Sequence, residues 1–75
     1  MKLDDFQFLL EVHRDYEFSF RGTTYEIIAE KENGTLRYYF GEKYFQRKKY
    51  EDFNDMVANV FVKDCYLRNI IEDCL

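Results

Sequence analysis

The side chains able to do covalent or acid–base chemistry are few and poorly grouped. His13 is the single histidine, and Cys65 and Cys74 are the only thiols. A histidine beside a cysteine can act as base and nucleophile, but no local pattern draws His13 toward either thiol. Its place at the end of a helical run offers a simpler role, a charge opposite the C-terminal helix dipole. One histidine also excludes a histidine-cluster metal site and a two-histidine relay. The carboxylates come in adjacent pairs, Asp4/Asp5, Glu51/Asp52 and Glu72/Asp73. Neighbours on a helix point about 100° apart, so such pairs do not converge on one reacting atom as a general acid and base must. No calcium-loop alternation of oxygen ligands is present, and Gly34 and Gly41 lack the spacing of a phosphate-binding loop. No catalytic residue, metal ligand or cofactor site follows, and the chain is not expected to be an enzyme.

The charges, by contrast, are laid out in blocks. Residues 1–32 carry eight acids and four bases, residues 33–50 one acid and five bases, and residues 51–75 six acids and two bases. The blocks are therefore −4, +4 and −4. Segregated charge creates a patterned surface field, which steers association and says little about fold, so the layout points to binding.

Two surfaces compete for that role. Helix faces carrying Glu51, Asp52, Asp55, Glu72 and Asp73, or Asp4, Asp5 and Glu11, would present carboxylates to a basic groove much as phosphates do. Their partner would be a basic or nucleic-acid-binding protein. The alternative is the middle block, where Arg37, Lys43, Arg47, Lys48 and Lys49 alternate with tyrosine and phenylalanine. There, bases would meet phosphates and exposed rings would stack on nucleobases. Overall acidity works against a polyanion, and edge lysines also serve to discourage strand-to-strand aggregation. A non-catalytic protein-binding module is the leading expectation, with a nucleic-acid-binding accessory protein as the alternative.

The elements that would hold these surfaces read as one α+β domain over residues 1–75. Eight Phe and seven Tyr, with no Trp and no Pro, supply large rings to a small core. Leu3, Phe6, Leu9, Leu10 and His13 fall on one face of a helix from about Asp4 to His13. Asp4 with Gln7 reads as a capping box, and Leu3 with Phe8 as its hydrophobic staple. Tyr16, Phe18 and Phe20 alternate with polar residues as a first strand. Tyr25, Ile27 and Ala29 mark a second, and Leu36, Tyr38 and Phe40 a third, ended by Gly41. Asn33-Gly34 sets the hairpin between the last two through a type I′ turn. Residues 42–49 leave a loop, a frayed edge strand and a helical lead-in open. A helix starting near Glu51 and another capped by Asp64 complete a three-stranded meander with an N-terminal helix and a C-terminal helical pair. One unbroken helix from Glu51 to Cys74 is the alternative. If Cys65 and Cys74 share a helix, their spacing puts them on opposite faces, unpaired, as in a reducing compartment. Phe8-Leu9-Leu10 is too short for a signal peptide and follows acids instead of bases. No run approaches a membrane span, so a cytoplasmic location is expected.

This order of elements resembles small proteins of prophages and mobile elements in Gram-positive gut bacteria. The matching residues are Phe18, Phe20, Gly22 and Tyr25 in the hairpin, the helix start Glu51–Phe53, and Asp64, Leu67 and Ile70-Ile71-Glu72-Asp73 at the end. Cys65 stands where members often carry Gly. The α-βββ-αα order, the acidity and the run Glu51-Asp52-Phe53-Asn54-Asp55-Met56 are also similar to small phage anti-CRISPR proteins that block a nuclease by imitating DNA. The second likeness implies an inhibitor with an acidic working surface and transfers no functional residue.

Overall fold

A computed structural model describes residues 1–75. Helix α1 (Leu3–His13) is followed by strands β1 (Asp15–Phe20), β2 (Thr23–Glu32), β3 (Thr35–Glu42) and β4 (Lys48–Tyr50). Helix α2 (Phe53–Asn59), a two-residue-per-strand hairpin of β5 (Phe61–Val62) and β6 (Cys65–Tyr66), and helix α3 (Leu67–Cys74) complete the chain. The four long-sheet strands pair in sequence order, each antiparallel to the next. The expected three-strand meander is present and gains a short fourth strand, β4, at the end of the 42–49 segment. Residues 51–74 form two helices separated by the small hairpin, which excludes a single long helix.

Three tight turns set the registers. Arg21-Gly22, Asn33-Gly34 and Lys63-Asp64 all place both central residues at positive φ, the geometry that matches the right-handed twist of flanking strands. The third turn does so without glycine, so it carries no sequence signal of the usual kind. Asp64 accordingly turns the hairpin instead of capping α3, whose N-cap is Tyr66. Cys65 lies in β6 and Cys74 at the end of α3; both are free, but a shared helix is not what separates them.

Period-two alternation puts Phe18, Phe20, Tyr25, Ile27, Ala29, Tyr38 and Phe40 on the inner sheet face. The three helices bury Phe6, Leu10, Phe53, Met56, Val57, Leu67, Ile70 and Ile71 against it in one cluster. No polar side chain is buried there. Aromatic rings form its centre: Tyr25 stacks on Phe40 at 5.4 Å, and Phe6 meets Tyr16 edge-on at 5.0 Å. Such pairs contribute on the order of 1 kcal/mol beyond area burial, which suits a domain this small.

Two details of α1 depart from expectation. The helix starts at Leu3 after an extended Lys2 with no side-chain cap, so Asp4 and Gln7 do not form a capping box. Phe8 is 66% exposed and no part of a staple. His13 is in the last turn as read, although exposed, and Arg14 closes the helix in the left-handed conformation.

Candidate partner-binding surface

All three helices pack on one face of the sheet, leaving the other face open. That outer face is built from Asp15, Glu17 and Ser19 of β1, Thr24, Glu26, Ile28, Glu30 and Glu32 of β2, and Arg37 and Tyr39 of β3, with Lys49 of β4. Here the charge blocks of the sequence meet. Lys43 Nζ donates to Glu17 Oε2 at 2.6 Å. Arg47 donates through its guanidinium to Glu26. Lys49 Nζ donates to Glu32 Oε1 at 2.6 Å, and the Tyr39 hydroxyl donates to the other oxygen of Glu32, also at 2.6 Å. Arg37 turns toward Glu51, reaching its carbonyl at 2.9 Å and its carboxylate at 3.8 Å.

The reach of Arg47 depends on Gly41. In the β2–β3 register Gly41 stands opposite Glu26, and the loop after β3 folds back over it. A Cβ on Gly41 would lie 2.8 Å from the Gln46 carbonyl oxygen and 3.0 Å from Arg47 Cα and Cγ. The absent side chain lets Arg47 cross β3 to reach β2. Gly41 therefore does not end the strand, which continues to Glu42; it marks a close approach.

The pairing shifts the pKa values of these groups. The hydrogen bond from Arg47 holds Glu26 below the ordinary glutamate range. Lys49, then Tyr39, does the same for Glu32. Lys43 and Lys49 are raised by their bonds to Glu17 and Glu32. Asp15 moves the other way: burial raises it, and a hydrogen bond to Glu26 adds to the rise. Among the five bases of the alternative site, only Lys48 has no carboxylate partner, lying instead 5.5 Å from the Tyr50 ring centre.

The acidic residues split into two groups. Asp52 is the N-cap of α2, its Oδ1 accepting from the Asp55 amide at 2.8 Å. Asp55 returns a bond to the Glu51 amide at 3.1 Å and accepts from the Asn59 side chain at 2.8 Å. Glu51, Asp52 and Asp55 are thus brought together, as a cap and its support. Glu72 and Asp73 lie apart from them, exposed in the last turn of α3 with no ion pair. The C-terminal end of a helix disfavours negative charge, and α3 has no basic residue in that turn. Asp4, Asp5 and Glu11 of α1 are also exposed and unpaired. The two helices meet at the N-terminus, where the Met1 amine donates to the Ile71 carbonyl at 3.1 Å.

Residues outside both predicted sites matter as well. Glu17, Glu26 and Glu32 neutralise the basic block; period-two alternation already turns Glu17 and Glu26 outward, but the fold-back over Gly41 has no local signature. Tyr44 and Phe45 stand 86% and 65% exposed at the tip of the β3–β4 loop. No three His, Cys, Asp or Glu side chains gather as a metal would require, and no helix is long and apolar enough to cross a membrane. Comparison with protein-family models, curated proteins and solved structures returned no match.

Proposed function

We propose that the chain is a non-catalytic protein-binding module whose acidic helical side engages a basic partner. This is the mode of action that the likeness to small phage inhibitors implies. One observation carries the reading. Glu72 and Asp73 occupy a helix end where their charge is unfavourable, and no group forms an ion pair with their carboxylates, the nearby Met1 amine bonding the Ile71 carbonyl instead. Residues that break a local rule and whose side chains find no partner in the fold are the ones to examine for a role outside it. Asp4 and Glu11 on the adjoining α1 extend the same field. Glu51, Asp52 and Asp55 take a secondary part, because the start of α2 already uses them.

A synthetic Lys/Arg-rich peptide, followed by fluorescence anisotropy at low salt, tests this. Replacing Glu72 and Asp73 with Lys should weaken binding at least tenfold while leaving the fold intact. Replacing Glu30 and Glu42, exposed acids of the sheet with no ion pair, by Lys makes the same change in net charge and should not weaken it. Equal loss from both changes would reduce the interaction to net charge and overturn the proposal.

The exposed Tyr44 and Phe45 beside Lys43 favour the nucleic-acid reading, since free rings next to a base are what stacking needs. Against it, four of the five bases are held by carboxylates of the same chain. Single-stranded DNA should therefore bind weakly and without the steep salt dependence of phosphate contacts. Tight, salt-sensitive binding lost in Tyr44→Ala would make this the function.

A further inference from the structure

Helix α1 buries one side through Phe6 and Leu10 and leaves a second apolar side uncovered. Phe8 and Val12 are 66% and 57% exposed, and a groove lined by Met1, Asp5, Phe8, Leu9, Val12 and His13 runs along that side. Residues four apart form ridges on a helix surface. One wall of the groove is the ridge Asp5–Leu9–His13, with Met1 beside it from the extended N-terminus, and the other is Asp4–Phe8–Val12. Two such surfaces can pack ridge into groove, the commonest arrangement of helices in globular proteins.

The charges on this side select the occupant. Its first turn is acidic, with Asp4 and Asp5, and its last turn holds His13. Asp5 and His13 are each four residues from Leu9 on one ridge. About a two-fold axis at Leu9, an antiparallel second copy sets Asp5 against its partner's His13, twice, around the paired apolar residues. A parallel copy would set Asp5 against Asp5. A two-fold contact of this kind is self-complementary by construction. We infer that α1 is a self-association surface, forming an antiparallel two-fold dimer through Phe8, Leu9 and Val12 with Asp5 and His13 paired across it.

An 11-residue helix is only about 16 Å long, so the contact falls below the standard interface size and the dimer is weak. The dimer surface leaves Glu72 and Asp73 free but shares Asp4 with the surface proposed for the basic partner, so the two readings are tested apart, with no peptide present here.

Sedimentation equilibrium of the purified chain at low salt tests it. The average mass should rise from 9.3 kDa toward twice that value between about 10 µM and about 1 mM, the range of weak association. Phe8→Ala should weaken the dimer at least tenfold, and Phe8→Asp should abolish it, with circular dichroism unchanged because the side chain is exposed. Asp5→Lys, which removes both Asp5–His13 contacts, and His13→Asp, which sets carboxylate against carboxylate across the axis, should each be monomeric alone and should form a heterodimer when mixed. A wild-type chain monomeric at about 1 mM overturns the inference, as does a dimer insensitive to both Phe8 variants. Failure of the two charge variants to pair on mixing overturns the antiparallel arrangement. A monomer that instead partitions onto phosphatidylcholine vesicles through Phe8 would assign the surface to lipid and refute the dimer.

Discussion

The outer sheet face and the helical side use charge in opposite ways. On the sheet, Lys43, Arg47 and Lys49 each find a glutamate supplied by β1 or β2. On the helical side, Glu72 and Asp73 stand unpaired at an unfavourable helix end, and Phe8 and Val12 lie in solvent. The first surface is satisfied by the chain itself. The second has interactions to offer that folding does not use. A block of like charge in a sequence thus indicates a binding surface only if folding leaves it unanswered.

Closing the gap at Gly41 should break the satisfied face most severely. Gly41→Ala forces its Cβ against the Gln46 carbonyl and the Arg47 backbone, and displacement of that loop should cost about 2 kcal/mol, read by chemical denaturation. A neutral result would mean that the loop does not lie across β3. Next in size is Asp52→Ala, which removes the cap of α2 and should cost about 1 kcal/mol. Asp52→Asn should recover most of it, because the amide oxygen can still accept from the Asp55 amide.

Glu26→Gln tests the pairing through pH. The folded-state value of Glu26 lies below the ordinary 4.5, so its ionised form stabilises the fold fully above that pH and progressively less as pH falls through the lowered value. The variant should be less stable by up to about 1 kcal/mol near neutrality, and its stability should converge with that of the wild type in acid. Parallel curves at every pH would refute the ion pair. The smallest effect has the opposite sign. Glu72→Gln with Asp73→Asn should stabilise the chain by a few tenths of a kcal/mol, by relieving the helix end, while weakening capture of a basic peptide. Loss of stability there would give these acids a structural role and dissolve the contrast between the two surfaces.

Much of the scaffold was legible because its signals are local. Alternation assigned the inner faces of β1, β2 and β3, and Asn33-Gly34 set their register, since a type I′ turn needs the positive φ those residues accept. The β5–β6 hairpin was not legible: Lys63-Asp64 adopts the same turn without glycine, so Asp64 reads as a helix cap. The start of α1 differs for a related reason: Asp4 lies inside the first turn and complements the helix dipole without capping it. At the candidate surfaces, the sequence displays the residue types but not which of them folding leaves available. Whether Lys49 is free or bound to Glu32, 17 residues away, depends on where β4 lands, and only the fold-back over Gly41 decides that. Exposure of Phe8 likewise depends on which side of α1 the α3 residues Leu67, Ile70 and Ile71 leave uncovered.

The contrast between the two surfaces is tested most directly by amide NMR, titrating the labelled chain with a Lys/Arg-rich peptide at low salt. Shifts that report binding should cluster on α3 around Glu72 and Asp73 and on the exposed side of α1 around Asp4 and Glu11, with β1 to β4 nearly silent. Shifts concentrated at Glu17, Glu26 and Glu32 would mean that an outside cation displaces Lys43, Arg47 and Lys49, and would contradict the claim that the sheet face is already satisfied.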